Sequence, residues 1–339
     1  MIEATASAPS KFVILGEHAV VYGQPALTLA IDLRFKVRMV YANTFRVNGQ
    51  PSSARNTSPH MRYLYELHGS RPVSAFVSSD IPSGSGLGSS AALSVAFTAA
   101  LRALEGRPLD RGAIAAEAYE AEYFAQGHGS PMDTSTSAAG GGVTLNMPHR
   151  DEDLLWTISK EDRTWDIARF DTPPMTFVIG NTGIRAATGA LVDKVRRYRE
   201  NNQFAAGIIE EIGDLTRDGL KAIKAGDLDE LGALMTYDHK LLSILGVSCP
   251  ELNDLVDAAL PFSYGAKLTG SGGGGCMVAL TDRPEKVAQA ITEHGGTPYI
   301  VRTGVPGVTA ATHDTGRKRK HRGHGRRGNR KPDKGAEPS

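Results

Sequence analysis

Cysteine is nearly missing from this 339-residue chain, which has only Cys249 and Cys276. Two thiols cannot supply the set of bridges on which small secreted folds depend, so stability must come from an apolar core. Long apolar runs are missing too. The nearest, the alanine-rich stretch from Ala91, is ended by Arg102, short of the ~18 residues a membrane helix needs. The opening Met1-Ile2-Glu3 puts no basic segment ahead of an apolar one, so the chain is expected to be cytoplasmic and not to span a membrane. Disorder and fibre are excluded by composition. Hydrophobic residues make up 40% and charged residues 22%, and the 38 glycines follow no triplet period.

The formal net charge of +1 hides an uneven division. Residues 312–339 hold ten Lys or Arg against Asp314, Asp333 and Glu337, which leaves 28 basic and 34 acidic side chains over residues 1–311. The body, at −6, has no field of its own for nucleic acid. Only the basic tail leaves nucleic acid or another polyanion open as a partner. Nothing apolar and periodic follows Val308, so the tail is expected to be disordered.

Alternation over Phe35–Tyr41 predicts a strand with one exposed face, and Lys11–Leu15 and Ala26–Asp32 predict two more. Helices are expected over Met61–His68, from Ser89 to Leu104, and from the N-cap Asp110 to Gln126, with a glycine loop over Gly127–Gly142. The domain boundary is expected within or just after the charged stretch 149–174, which ends in Pro173-Pro174. Beyond it come a strand at Met175–Gly180, three or four helices up to Leu260, strands at Gly265–Thr269 and Cys276–Leu280, a helix from Pro284 and a last strand at Pro298–Val301. The fold class is therefore α+β, and the second half reads as a split β-α-β unit with extra helices.

Gly84-Ser85-Gly86-Leu87-Gly88-Ser89-Ser90 lies between a predicted strand and a predicted helix. Backbone N–H groups can converge there at the positive end of a helix, as a phosphate cradle requires, although a flexible turn with an N-cap fits equally. It is not a Walker loop, because no Lys precedes Ser89. Gly270–Gly275 satisfies the dinucleotide spacing, yet a strand follows where that fingerprint needs a helix. Lys11 and the pair Glu17-His18 flank the apolar run Phe12–Leu15, which places a cation and an acid–imidazole turn at opposite ends of one strand.

Three strings then occur in order: Pro9-Ser-Lys-Phe-Val-Ile-Leu-Gly-Glu-His-Ala-Val-Val-Tyr-Gly23, Asp80-Ile-Pro-Ser-Gly-Ser-Gly-Leu-Gly-Ser-Ser-Ala-Ala-Leu93 and Lys267-Leu-Thr-Gly-Ser-Gly-Gly-Gly-Gly-Cys276. They resemble the three motifs of the GHMP small-molecule kinases, and the Gly-Glu-His-Ala string and Gln126–Thr134 are similar to the archaeal-type mevalonate kinase branch. The resemblance covers roughly residues 4–305. It implies an N-terminal ATP-binding domain over 1–170, a ferredoxin-like C-terminal domain over 171–310 and a tail over 311–339. It also implies ATP and Mg²⁺, mevalonate as phosphoryl acceptor and a homodimer.

By the same resemblance Asp133 is the catalytic aspartate and Lys11 its cation, the loop Gly84–Ser90 holds the nucleotide phosphates, and Ser90 and Glu122 hold the metal. Glu122 shares a helical stripe with Ala115, Ala118 and Tyr119, which Glu117 and Glu120 do not. Glu17, His18, Thr182, Arg185, Thr188, Gly272 and Gly273 are carried over as acceptor-pocket residues, with Arg185 suited to an anionic group. Two departures stand out. Ser10 replaces the usual glycine, and Ala138-Ala139 replace a threonine and a larger residue, which leaves local loop geometry open. The alternatives are another GHMP kinase acting on phosphomevalonate or homoserine, a GHMP-fold binder without turnover, and a nucleic-acid binder acting through the tail.

Overall fold

β1 (Ile2–Leu15) and β2 (Ala26–Tyr41) are antiparallel neighbours along most of their length and form the spine of the N-terminal half. The computed structural model describes residues 2–69, 71–82, 84–127, 129–185 and 188–314. The two strands predicted over Ala26–Asp32 and Phe35–Tyr41 are one. With no glycine or proline at Asp32–Arg34 to end it, the strand absorbs the break in pattern as a register shift opposite Pro9 and Ser10.

On its other edge β2 pairs first with β6 (Gly142–Leu145) and then with β5 (Val73–Ser79). Short β3 (Arg46–Val47) and β4 (Gln50–Pro51) extend the sheet on one side. The charged stretch contains a hairpin, β7 (Leu154–Lys160) and β8 (Arg163–Phe170), which extends it on the other.

One face of this sheet carries α1 (Pro59–His68), α2 (Ser89–Leu104), α3 (Arg111–Gln126) and α4 (Met132–Ala139). α2 is apolar nearly all round and buried to match; its run of alanines lets it lie close on β1 and β2. Asp110 caps α3 by accepting from the Ala113 N–H, as predicted. α4 corrects the predicted glycine loop. Its Ser and Thr side chains, poor helix formers in water, are buried, and Thr136 Oγ1 donates back to the Met132 carbonyl.

The second half builds β9 (Thr176–Asn181), α5 (Thr188–Asn201), α6 (Gln203–Ala225), α7 (Leu228–Ile244), α8 (Pro250–Ala259), β10 (Gly265–Thr269), β11 (Cys276–Leu280), α9 (Pro284–Glu293) and β12 (Thr297–Arg302). The antiparallel order β10-β11-β9-β12 is that of the split β-α-β fold. Gly232 of α7 and Gly265 of β10 meet backbone to backbone; a Cβ on Gly265 would stand 1.8 Å from the Gly232 carbonyl oxygen. That close approach is what lets α7 bring its later side chains onto β10.

The chain then returns to the first sheet. β13 (Thr309–Asp314) pairs with β1 from Ile2 to Ser7. Order was expected to end at Val308, because β13 reads Thr-Ala-Ala-Thr-His-Asp and is largely exposed, so no apolar alternation betrays it. The basic segment from Arg317 lies outside the described residues.

Candidate active site

Past Ser7 the edge of β1 is free of β13, and the loops of the site use it. Lys11 N–H donates to the Leu87 carbonyl at 3.1 Å, and Ser10 Oγ donates to the same oxygen at 2.6 Å. Thr269 Oγ1, from the other sheet, donates to the Val13 carbonyl at 2.9 Å and accepts from the Val13 N–H at 3.2 Å. One strand edge thus fixes the glycine loop before α2 and the end of β10 together.

A cavity of about 490 Å³ opens at this junction, lined by Lys11, Gly84, Ser85, Gly86, Gly88, Ser89 and Ser90 on one side and by His18, Gln126, Met132, Asp133, Gly270 and Ser271 on the others. The Lys11 stem runs beneath the loop against Gly88. Its ammonium emerges 2.9 Å from Asp133 Oδ1, the two side chains being 4% and 41% exposed. A buried stem thus delivers a positive charge to an accessible carboxylate in the first turn of α4, where a helix N-terminus also favours negative charge. Loop and α2 N-terminus supply N–H groups for an anion, and Lys11 the missing cation.

Glu122 sits on the inner side of α3, its side chain 13% exposed. Ser90 Oγ (2.9 Å) and Gln126 Nε2 (2.8 Å) donate to Oε2, Ser94 Oγ (3.1 Å) donates to Oε1, and His60 Nε2 stands 3.2 Å from Oε1. Among the described residues no three His, Cys, Asp or Glu side chains gather as a metal cage. One carboxylate and one hydroxyl beside a phosphate loop are instead the small all-oxygen share that Mg²⁺ takes from a protein when phosphate and water supply the rest, so the residues fit that ion.

The turn after β1 holds the third group. His18 adopts a left-handed φ of 59° and its Nε2 lies 3.0 Å from the Ser271 carbonyl. Burial lowers the His18 pKa against the pull of that carbonyl, with Lys267 adding to the fall. Glu17 also borders the cavity, but its side chain is only 2% exposed and its carboxylate is bound by Lys267, which also reaches Asp238 Oδ2 at 3.2 Å. Burial pushes the Glu17 carboxyl up to about 7 in spite of Lys267 and raises Asp238 as well.

Comparison with known proteins bears on this geometry. Residues 57–141 match the family of GHMP kinases N terminal domain and residues 220–297 the GHMP kinases C terminal family. The mevalonate kinase of Pyrococcus horikoshii is 35% identical over 340 aligned positions, covering 89% of this chain and 96% of the relative. The chain belongs to the mevalonate kinase family. The crystal structure of Methanococcus jannaschii mevalonate kinase superposes with a TM-score of 0.71 at 26% identity over 88% of this chain and 98% of that one. For L. major mevalonate kinase in complex with R-mevalonate the TM-score is 0.76, at 23% identity over 88% and 94%, a likeness of fold.

Within this mevalonate kinase framework not every predicted residue faces the cavity. Glu17 borders it with a carboxylate already held by Lys267. Leu87 is fully buried and serves as an anchor through its carbonyl. Gly272 and Gly273 are packed on Val247 and Leu191, while Gly270 and Ser271 line the cavity in their place. Thr182 Oγ1 donates to the Gly275 carbonyl and so shapes the glycine turn. Arg185 is exposed and lies along Gly84, at the loop side of the site. Thr188 opens α5, and its side chain lies outside the described residues.

Both departures are absorbed. Ser10 supplies the bond to Leu87, and the backbone of Ala138-Ala139 packs directly on Gly307, where an added Cβ would stand 2.1 Å from the Ala138 carbonyl oxygen. Sequence reading missed His60, Ser94, Lys267 and Asp238. Only the last two carried a signal: a lysine inside an apolar strand and an acid on an apolar helix stripe.

Proposed function

We propose that this chain transfers the γ-phosphoryl group of ATP to the C5 hydroxyl of (R)-mevalonate, giving 5-phosphomevalonate and ADP. The observation that carries the reading is the Lys11–Asp133 pair, 2.9 Å apart and opening into the same cavity as the glycine loop. Phosphoryl transfer proceeds through a loose transition state, so the protein's work is positioning and charge. Asp133 takes or orients the C5 hydroxyl proton while that oxygen bonds to the γ-phosphorus and the bond to the bridging oxygen breaks. Lys11 keeps Asp133 oriented and stands against charge growing on the transferred group. Loop N–H groups and Ser89 hold the phosphates.

Ser90 and Glu122 would hold Mg²⁺, which when bound neutralises the phosphate oxygens. His18 and Ser271 border the acceptor end, and Arg185 at the loop rim is the cation available to an anionic substrate group. Assembly as a homodimer rests on the resemblance; among the described residues no helix is long and apolar enough to cross a membrane. An ATP-consumption assay offering (R)-mevalonate, phosphomevalonate and homoserine in parallel tests the reading. Turnover of mevalonate is expected, and turnover of either other acceptor without it would overturn the proposal.

A further inference from the structure

The cluster that captures Glu17 has no role in the chemistry above. Lys267 is fully buried on β10 and Asp238 fully buried on α7; they belong to the C-terminal half, while Glu17 belongs to the turn that ends β1. Two carboxylates and one ammonium in the interior are an expensive way to join two halves, and Glu17 Oε2 has no hydrogen-bond partner among the described residues. An apolar contact of the same volume would hold the halves at least as well. What a charged clasp adds is direction. It fixes one carboxylate at one place, and the residue next to that carboxylate is His18.

His18 needs such fixing. Its backbone is in the left-handed region that a side chain disfavours by about 1–2 kcal/mol. Its ring is held at a second point by the Ser271 carbonyl, on the same β10–β11 connection that follows Lys267. A carbonyl only accepts, so Nε2 carries the proton, and in the neutral ring Nδ1 is left as the acceptor. Turn and ring are therefore tied to one connection, through Lys267 below and Ser271 at the cavity wall. We infer that Lys267, seconded by Asp238, is a positioning residue for the acceptor pocket: it seizes Glu17 so that the strained turn presents His18, in one tautomer, to a substrate hydroxyl. The inference rests on the proposed function and adds residues that touch neither substrate.

The test removes the charges while keeping the shape. Lys267→Met alone leaves two unpaired buried carboxylates and serves only as a folding control; the informative protein is Glu17→Gln, Lys267→Met, Asp238→Asn together, which has no buried charge left in the cluster. With wild type turning over (R)-mevalonate, the triple variant should keep its circular dichroism spectrum and hold KM for ATP within about twofold, while KM for mevalonate rises at least about tenfold. The same substitutions on a His18→Ala background should add less than about twofold, because the clasp acts through His18. Unchanged KM for mevalonate in the folded triple variant overturns the inference. So do equal rises in both KM values, or a full tenfold effect that persists without His18. If wild type instead phosphorylates another acceptor, the function reading falls, and the clasp is judged by the same ratio and the same His18 background on that acceptor.

Discussion

Replacing Gly88 by alanine separates the role of the loop backbone from that of the lysine beneath it. Gly88 has φ +71°, so alanine there costs about 1–2 kcal/mol in backbone strain alone. Its Cβ would also stand 2.8 Å from Lys11 Cε and 3.1 Å from Cγ, against the ~3.5 Å at which carbon atoms rest. Lys11 must therefore yield by roughly 0.7 Å. Its backbone cannot follow, being paired with β2 and bonded to Leu87, so the shift passes along the stem to the ammonium facing Asp133.

Misplacement on that scale costs on the order of 10² in rate. Gly226→Ala is the matched control: φ is again +71°, with nothing within 4 Å of the new Cβ. Both variants should lose about 1–2 kcal/mol in urea unfolding. Only Gly88→Ala should lose kcat, by about 30- to 100-fold at saturating ATP and mevalonate. A folded Gly88→Ala protein with kcat within threefold of wild type would refute the idea that Lys11's exact placement limits the reaction.

Asp133→Asn keeps shape but not charge, and kcat should fall on the order of 10² to 10⁴ in steady-state assays, with little change in KM for ATP. Glu122→Gln should raise the Mg²⁺ concentration for half-maximal activity at least about tenfold in a metal titration, with much of the activity recovered at high metal. Deleting residues 315–339 should leave kcat and both KM values within about twofold, whereas a cut before Thr309 strips β13 from β1 and should cost on the order of 3 kcal/mol in denaturant unfolding. His68 bridges Glu105 and Glu117; burial opposes its charge, but the carboxylates win and its pKa is raised above 6.5. Its contribution is complete below that unfolded value and is lost as pH rises through the folded one, so wild type should lose stability relative to His68→Gln as pH rises above 6.5 in thermal melts.

Elements with strong local chemistry were legible. α2 and α3 follow their apolar content and the Asp110 cap to the predicted boundaries, and the second sheet follows its short, largely apolar runs. α4 was not, because Thr134–Ser137 owe their helix to burial on β1 and α3, a tertiary fact. The site was legible as motifs and illegible as directions. Glu17 and His18 are neighbours in sequence and both border the cavity, yet one is held by a buried lysine and the other by the Ser271 carbonyl. That lysine's other partner, Asp238, occupies a place in the stripe Leu231, Met235, Asp238, Leu242 that an apolar residue would normally fill. Such a misfit marks a buried charge; only the fold shows which cation answers it.

The pairing of β1 with β13 also sets an order of events during synthesis. Among the described elements the outer half of β1 emerges from the ribosome first and its partner last. At ~5–20 residues per second, some 300 residues of delay leave that strand edge waiting on the order of 15–60 s. Over that interval Ile2–Ser7 is an open template with alanines at alternate positions, able to pair with another nascent chain as readily as with its own. Expression level, translation rate and chaperone supply should therefore govern the soluble yield of this protein more than the stability of its finished fold does.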